Sequence, residues 1–469
     1  MIYYTVEEIM AKAREAEGKT FGEIDKYGRL DNNRAKGVLG QVVEESLFGY
    51  SINSNSKPDF VNLGVELKVT PFKKNKNGTL SAKERLVLNI INYMEEINCT
   101  FETSSFWKKN EKLLLMFYEW IPGLARKDYQ IYRSILYTFP EADLEIIKND
   151  WECIVKKIKE GKAHELSEGD TVYLGAAPKG ANSGSLREQP FSGKKAMQRA
   201  FSLKQSYMTT LVRKFLNNEQ FVNFVSAADL KEKTFNEILQ NKFSPYIGWT
   251  DEEIANKHNI PYNKNSKSLI ATIISAVLGI KGTKLHQIEE FSKANIEFKT
   301  VRLEPNGKPK ESMSFENIDF DKWTSETWED SYLRHRFYET KFLFVVFEYK
   351  ETIAENANRK LYFKGIKLWN MPTETIEKEV REFWEEVVRL INTNELKIEY
   401  VKRGEKVVET NNFPKCNFNG VMHMRPKAAN GDDKILLPNG KYITKQCYWL
   451  NNTYIAEVLK DLALHNKYE

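Results

Sequence analysis

An internal duplication constrains this chain more than any other feature: short segments of the first half recur, in the same order, in the second. Lys19-Thr20-Phe21-Gly22-Glu23-Ile24 returns as Lys233-Thr234-Phe235-Asn236-Glu237-Ile238, and Val65-Glu66-Leu67-Lys68 as Ile296-Glu297-Phe298-Lys299. The apolar run Leu113 to Glu119 is matched by Phe342 to Glu348, and Asp150-Trp151-Glu152 by Phe383-Trp384-Glu385. Pro178-Lys179-Gly180-Ala181-Asn182 pairs with Pro426-Lys427-Ala428-Ala429-Asn430, and Lys204-Gln205 with Lys445-Gln446. Each echo is short, but their shared order indicates two copies of one domain rather than a short-period solenoid. A length of 469 residues gives each copy enough chain for a sizeable core. The boundary is expected near 215–232, dividing the chain into 1–220 and 221–469.

The first copy carries the residues with chemistry. Pro58-Asp59 is followed by Gly64-Val65-Glu66-Leu67-Lys68-Val69, the pattern P-D-(x)6-E-x-K. Alternation of Val65, Leu67 and Val69 with Glu66 and Lys68 predicts a strand that buries the apolar three on one face and presents Glu66 and Lys68 together on the other. Asp59, after the breaker-rich run Asn53 to Pro58, is expected to approach the same spot from the strand's start. Hydrolysis of a phosphodiester needs a nucleophile at neutral pH and a means of holding charge on the phosphate and leaving oxygen, both of which Mg²⁺ supplies. Mg²⁺ prefers oxygen ligands, commonly one or two carboxylates, so Asp59 and Glu66 are the expected metal ligands. Lys68 is placed to orient water or offset charge in the transition state. On ordinary residue frequencies such a pattern arises by chance on the order of once in ten chains of this length, so its context decides.

Upstream, Thr5-Val6-Glu7-Glu8 reads as a capping box opening a helix with Val6, Ile9, Met10, Ala13 and Ala16 on its apolar stripe, ending at Gly18. A second helix is expected from about Lys36 to Phe48, with Val38, Leu39, Val42, Val43 and Leu47 buried. It carries Glu44 and Glu45, either of which could be a third carboxylate at the metal; a solvated helix face is the commoner role for such residues.

These segments together resemble the catalytic half of the MutH family, which contains the GATC-nicking endonuclease of mismatch repair and related GATC-cutting type II restriction endonucleases, some with tandem MutH-like domains. The resemblance is carried by Lys36 to Glu44, Ser56-Lys57-Pro58-Asp59 and Leu63 to Pro71. It implies an active site of Glu44, Asp59, Glu66 and Lys68. A further active-site lysine of the family follows a T-S-S/H segment, which Thr103-Ser104-Ser105-Phe106-Trp107-Lys108-Lys109 resembles; Lys109 is the choice, with Lys108 and Lys112 as alternatives. Tyr173 to Asn182 is similar to the family's DNA-reading R-P-K-A-A-N loop, and Ala200 to Lys204 to its F-Y-L-K-K segment, which implicates Lys179, Asn182 and Lys204 in DNA contact. Two residues depart from the pattern: Ala177 stands in place of the loop arginine, and Ser202 in place of a tyrosine linked to sensing adenine methylation.

The copies are unequal. Aligned on the echoes, Glu44 becomes Ile274 and Asp59 becomes approximately Glu290, while Glu297 and Lys299 persist. Met424-Arg425-Pro426-Lys427-Ala428-Ala429-Asn430 is closer to the family loop than its first-copy equivalent. The second copy is therefore expected to be a non-catalytic DNA-binding or effector domain, with Arg425, Lys427, Asn430 and Lys445 as its DNA-binding residues. The expected fold is α/β: two tandem restriction-endonuclease-like (PD-(D/E)xK) domains, each a mixed central sheet flanked by helices.

A net charge of +5 suits double-stranded DNA as partner without marking a polycation. Lys73, Lys74 and Lys76, directly after the active strand, are candidates to lie over phosphates, Lys73 and Lys74 foremost. Four scattered cysteines and six histidines form neither a zinc motif nor a disulfide framework. His335, in Leu333-Arg334-His335-Arg336, and His423 are candidates for DNA contact, with structural or exposed roles the more frequent for lone histidines. No apolar signal or membrane span is seen, so a cytoplasmic protein is expected. The resemblance implies a Mg²⁺-dependent type II restriction endonuclease cutting both strands at GATC, 5′ of the G, with a DNA-induced homodimer as one route to double-strand cleavage. The alternatives are a mismatch-repair-type GATC nicking enzyme and a non-catalytic GATC-binding regulator.

Overall fold

The computed structural model describes residues 2–32, 37–52, 57–179, 184–280 and 285–464. Asn182, Lys36 and the run Asn53 to Ser56 lie outside the described residues.

The chain forms two compact units. The first, Met1–Ile238 with Lys284–Asn295, opens with helix α1 (Val6–Arg14), where Thr5 and Glu8 make the expected reciprocal capping box. The second helix, α2 (Val38–Val42), passes into a single π turn over Val43–Leu47, where the N–H of Phe48 reaches back five residues to the carbonyl of Val43. The regular helix expected through Phe48 is thus interrupted at Glu44, and π turns of this kind concentrate at functional sites.

A four-stranded mixed sheet follows, in the order β2-β1-β4-β5. Its strands are β1 (Val65–Lys74) and β2 (Leu80–Ala82), then, beyond β3 (Leu86–Ile90) and helix α3 (Ser105–Asn110), β4 (Lys112–Glu119) and β5 (Ile131–Thr138). β1 and β4 are parallel, with Glu66 opposite Leu113; β2 and β5 run antiparallel to their neighbours. Ile9 and Ala13 of α1, Val42 and Val43, Val65 and Leu67 of β1, and Leu114 and Met116 of β4 share one core. Full burial of such a side chain stabilises the fold by about 1.5–3 kcal/mol. At its start β1 is buried on both faces, Val65, Glu66 and Leu67 alike. Glu66 is only 3% exposed, so it does not emerge from the sheet as simple alternation suggests.

Helix α4 (Glu141–Lys159) carries Asp150, whose carboxylate accepts the N–H groups of Val172, Tyr173 and Leu174 at 2.6–2.8 Å. This fixes the start of β6 (Leu174–Pro178), which pairs with β7 (Arg199–Leu203), and β7 with β3, in an antiparallel three-stranded sheet. Helix α5 (Gln205–Leu216) closes the first half.

The second unit is Leu239–Thr283 with Ile296–Glu469. It contains α6 (Leu269–Val277); the next helix, α7 (Glu289–Ala294), is part of the first unit. There the Lys293 ammonium, 1% exposed as a residue, lies 2.5 Å from Asp143 of α4 and 2.7 Å from Glu289. Tyr207 of α5 also donates to Asp143, at 2.6 Å. The packing units therefore interleave along the chain, a segment beyond residue 221 being built into the unit that holds the first copy.

The second unit repeats the first unit's plan. β8 (Ile296–Leu303) runs parallel to β10 (Lys341–Tyr349), with Glu297 opposite Phe342, and β11 (Leu361–Trp369) pairs antiparallel to β10. β9 (Met313–Asn317), β13 (Gln446–Leu450) and β12 (Met422–Pro426) form the three-stranded sheet in the order β9-β13-β12. Helix α8 (Tyr332–Glu339) precedes β10 as α3 precedes β4, and α9 (Arg381–Asn392) holds the buried Trp384 where α4 holds Trp151. One echo is out of register. Pro178 faces Arg199 and Pro426 faces Gln446, so Lys445-Gln446 corresponds to Gln198-Arg199 and not to Lys204-Gln205. Among the described residues no helix is long and apolar enough to cross a membrane.

Candidate active site

A tight turn brings Asp59 to β1. Phe60 and Val65 exchange backbone hydrogen bonds across a short 3-10 turn, Val61–Leu63, which Gly64 closes at φ +63°. An L side chain resists that conformation, so the glycine before the E-x-K strand has a geometric cause. Asp59 is then held from both ends: its N–H donates to Glu66 at 3.2 Å, and its Oδ2 accepts the N–H of Leu67 at 2.9 Å.

Two ammonium groups converge on Glu66. Lys68 Nζ lies 2.9 Å from Oε1 and also donates to the carbonyl of Leu88 on β3 at 3.2 Å. Lys109, from α3, lies 3.4 Å from the same oxygen and donates to the carbonyl of Lys57. Ser104 caps α3 by accepting the N–H of Trp107, which sets the helix phase. That phase turns Lys109 towards Glu66 and leaves Lys108 exposed.

Glu44, on the π turn, belongs to the same electrostatic environment. Burial, then the negative charges of Asp59 and Glu66, push its carboxyl up to about 7, against the opposing pull of Lys68 and Lys109. Burial also raises Glu66, partly offset by Lys68. Glu45 faces elsewhere, in a two-point ion pair with Arg29. Three carboxylates thus share a partly buried space with two ammonium groups.

The residues expected to touch DNA are dispersed. In the first unit, Lys74 and Lys179 are exposed and Lys73 half-buried. Lys204 is 4% exposed and donates to the carbonyls of Glu168 and Thr171, so its ammonium is turned into the fold. In the second unit, Arg425 stacks over Trp449 and Lys427 donates to the carbonyl of Phe315. Asn430 caps the turn at Asp432 and Asp433, and Lys445 pairs with Asp433 at 2.5 Å. His423 is fully buried and bonded to Asn451 at 2.5 Å, a structural role.

The same unit contains an arrangement that sequence reading missed. Glu297 on β8 pairs with Lys299 at 2.7 Å, as Glu66 pairs with Lys68, but it also pairs with Arg336 of α8. Ser331 caps α8 as Ser104 caps α3, so Arg336 occupies the helix position of Lys109. Arg336 further donates to Glu316 at 3.0 Å and to Thr340 at 2.6 Å. Glu316, on β9, stands where β3 has Asn89. The basic run Leu333-Arg334-His335-Arg336 was the available signal, and it points to His335 as readily as to its neighbour.

A mixed sheet, a turn-held aspartate and an E-x-K pair joined by a second lysine characterise a nucleic-acid-hydrolysing class of site. The chain belongs to the MutH family: the family model described as "DNA mismatch repair enzyme MutH" matches it twice, at residues 48–150 and 282–382. The first match includes Asp59, Glu66, Lys68 and Lys109; the second includes Glu297, Lys299, Glu316 and Arg336. The chain is similar to the type II restriction enzyme Sau3AI of Staphylococcus aureus, with 39% identity over 98% of this chain and 99% of the relative. It is also similar to the DNA mismatch repair protein MutH of Shewanella woodyi, 32% identical over 39% of this chain and 79% of that protein. The MutH of Actinobacillus pleuropneumoniae is 29% identical over 46% and 96%.

Proposed function

We propose that this chain is a type II restriction endonuclease making Mg²⁺-dependent double-strand cuts in DNA at GATC, 5′ of the G. In this reading a catalytic first copy (1–220) is followed by a non-catalytic, DNA-binding or effector second copy (221–469), both of the PD-(D/E)xK type. The chain is a DNA-cleaving enzyme of the type II site-specific class, which its family and its end-to-end similarity to a type II restriction enzyme support, and GATC is the target this reading assigns to it. The observation that carries the finer reading is the meeting of Asp59, Glu66, Lys68 and Lys109 at one place.

Among the described residues no three His, Cys, Asp or Glu side chains are gathered closely enough to hold an ion as they stand. The donor set nevertheless suits a hard cation: Asp59 and Glu66 offer carboxylate oxygens at one place, with Glu44 in the same environment. Asp59 and Glu66 would hold Mg²⁺. When bound, it supplies an acidified water and neutralises charge at the scissile phosphate. Lys68, fixed between Glu66 and the Leu88 carbonyl, would orient the attacking water or offset charge in the transition state. Lys109 steadies Glu66, and Glu44 holds a proton near neutrality. Lys73, Lys74, Lys179 and Asn182 would contact DNA from the first copy, and Arg425, Lys427, Asn430 and Lys445 from the second.

Cutting a palindrome in both strands with one site per chain calls for two chains meeting on DNA or two successive nicks. The proposed effector role of the second copy predicts faster cleavage when a second GATC site is supplied in trans; an unchanged rate would remove that role. The principal test is incubation of the protein with unmethylated plasmid containing known GATC sites, with and without Mg²⁺, beside Asp59→Ala. Mg²⁺-dependent fragments with ends at GATC, absent in the variant, are expected. Intact plasmid would overturn the reading, and nicked circles requiring a repair partner would replace it with the mismatch-repair one.

A further inference from the structure

We propose that Arg336 is a built-in cation that takes up the carboxylates of the second copy's E-x-K site, so that this site holds no divalent metal, and that removing its charge opens a latent metal site at Glu297 and Glu316. The inference rests on reading the first copy's Asp59 and Glu66 as the metal-holding pair.

The contrast is one of charge and connectivity. In the first copy, Lys68 and Lys109 gather on Glu66, which also meets Asp59, and Glu44 lies in the same environment: three acidic side chains against two ammonium groups. In the second copy, Glu297 and Glu316 face Lys299 and Arg336, two against two. The position of Glu44 is Ile274, 1% exposed. Glu290, the approximate counterpart of Asp59, lies on α7 in the first unit and accepts the N–H groups of Phe224 and Val225. The acids that complete the first site therefore have no equivalent beside Glu297 among the described residues.

The guanidinium is held on all three nitrogens: Nη2 by Glu297, Nε by Glu316 and Nη1 by Thr340. Its Cζ also lies 5.6 Å from the ring centroids of Phe315 and Phe342. Glu316 accepts two further hydrogen bonds, from Tyr332 at 2.7 Å and Tyr448 at 2.5 Å. An arginine held in this way stays charged at any working pH. Burial raises Glu297 and Glu316, but Arg336 together with Lys299 at Glu297, and with the Tyr448 and Tyr332 hydroxyls at Glu316, holds both below the usual glutamate range. A lysine at this helix position, as in the first copy, reaches one carboxylate; the arginine fork spans two. Glu316 in place of Asn89 and Arg336 in place of Lys109 thus act as a matched pair of changes.

The test is Mn²⁺ binding to the full-length protein, measured by calorimetry and by quenching of the free-ion EPR signal. Glu297→Gln is expected to leave the wild-type isotherm unchanged, whereas Asp59→Ala removes the binding assigned to the first copy. Arg336→Gln, which keeps polarity and removes charge, is expected to add one equivalent of Mn²⁺, and the double variant Arg336→Gln/Glu297→Gln to lose it again. Loss of an equivalent in Glu297→Gln alone would overturn the proposal by showing that the second site holds metal beside Arg336. So would a folded Arg336→Gln, verified by its circular dichroism melt, with the wild-type stoichiometry. If Arg336→Gln does not fold, the comparison of wild type with Glu297→Gln still decides. Undiminished Mn²⁺ binding in Asp59→Ala would instead count against the first copy's metal site, leaving the Arg336 comparison to be read separately.

Discussion

At the scale of single residues, the first copy's site depends on which lysine reaches Glu66. Lys68 and Lys109 both do, whereas Lys108, one step along the same helix, points to solvent. Lys68→Ala is expected to lower the cleavage rate roughly 100-fold or more, the usual effect of removing a group that stabilises transition-state charge. Lys109→Ala should also lower it, and Lys108→Ala should leave it near wild type; single-turnover plasmid cleavage distinguishes the three. Asp150 supports the neighbouring loop. Replacing it with Asn turns an amide donor towards backbone N–H groups, for an expected loss of about 1–3 kcal/mol in denaturant unfolding. Burial pushes its carboxyl up to about 6 despite the three N–H donors. A raised folded value means that the native state binds the proton more readily. This contribution is complete below the unfolded value of about 3.9 and is lost as pH rises through about 6. The stability gap between wild type and Asp150→Asn should therefore widen as pH falls from 7 to 5.

At the scale of elements, the turn before β1 converts a sequence pattern into a site. Gly64 has open space around its α-carbon, so Gly64→Ala meets backbone strain and no clash. The expected cost is about 1–2 kcal/mol, with reduced cleavage because the turn carries Asp59 to Leu67. Chemical denaturation and the cleavage assay should move together. Much at this scale was legible in the sequence: the α1 capping box, the E-x-K strand and the paired strands Leu113 to Glu119 and Phe342 to Glu348 are local patterns with local causes. The π turn at Glu44 was not. It depends on how α2 packs against the sheet, and a 3.6-residue apolar stripe contains no mark of one extra residue. The burial of Glu66 was also hidden, because alternation describes one strand and not what covers its second face.

At the scale of the whole molecule, helix α7 ties a segment beyond residue 221 into the first unit. Lys293→Ala would leave Asp143 and Glu289 buried with less compensating charge, and losses of about 3–5 kcal/mol are typical of breaking a buried pair. Thermal melting of the full chain should show this. A fragment ending at residue 220 should melt lower than one ending at residue 295, which retains α7.

The sequence alone determined the duplication, the P-D…E-x-K constellation and the family, because each is written in residue order and spacing. Tertiary structure decided which residues meet. It brought Lys109 to Glu66, turned Lys204 inward, shifted the last echo of the duplication out of register and set Arg336 between Glu297 and Glu316. These outcomes depend on contacts between residues far apart in the chain, where burial and charge act through space and leave no periodic signal along it.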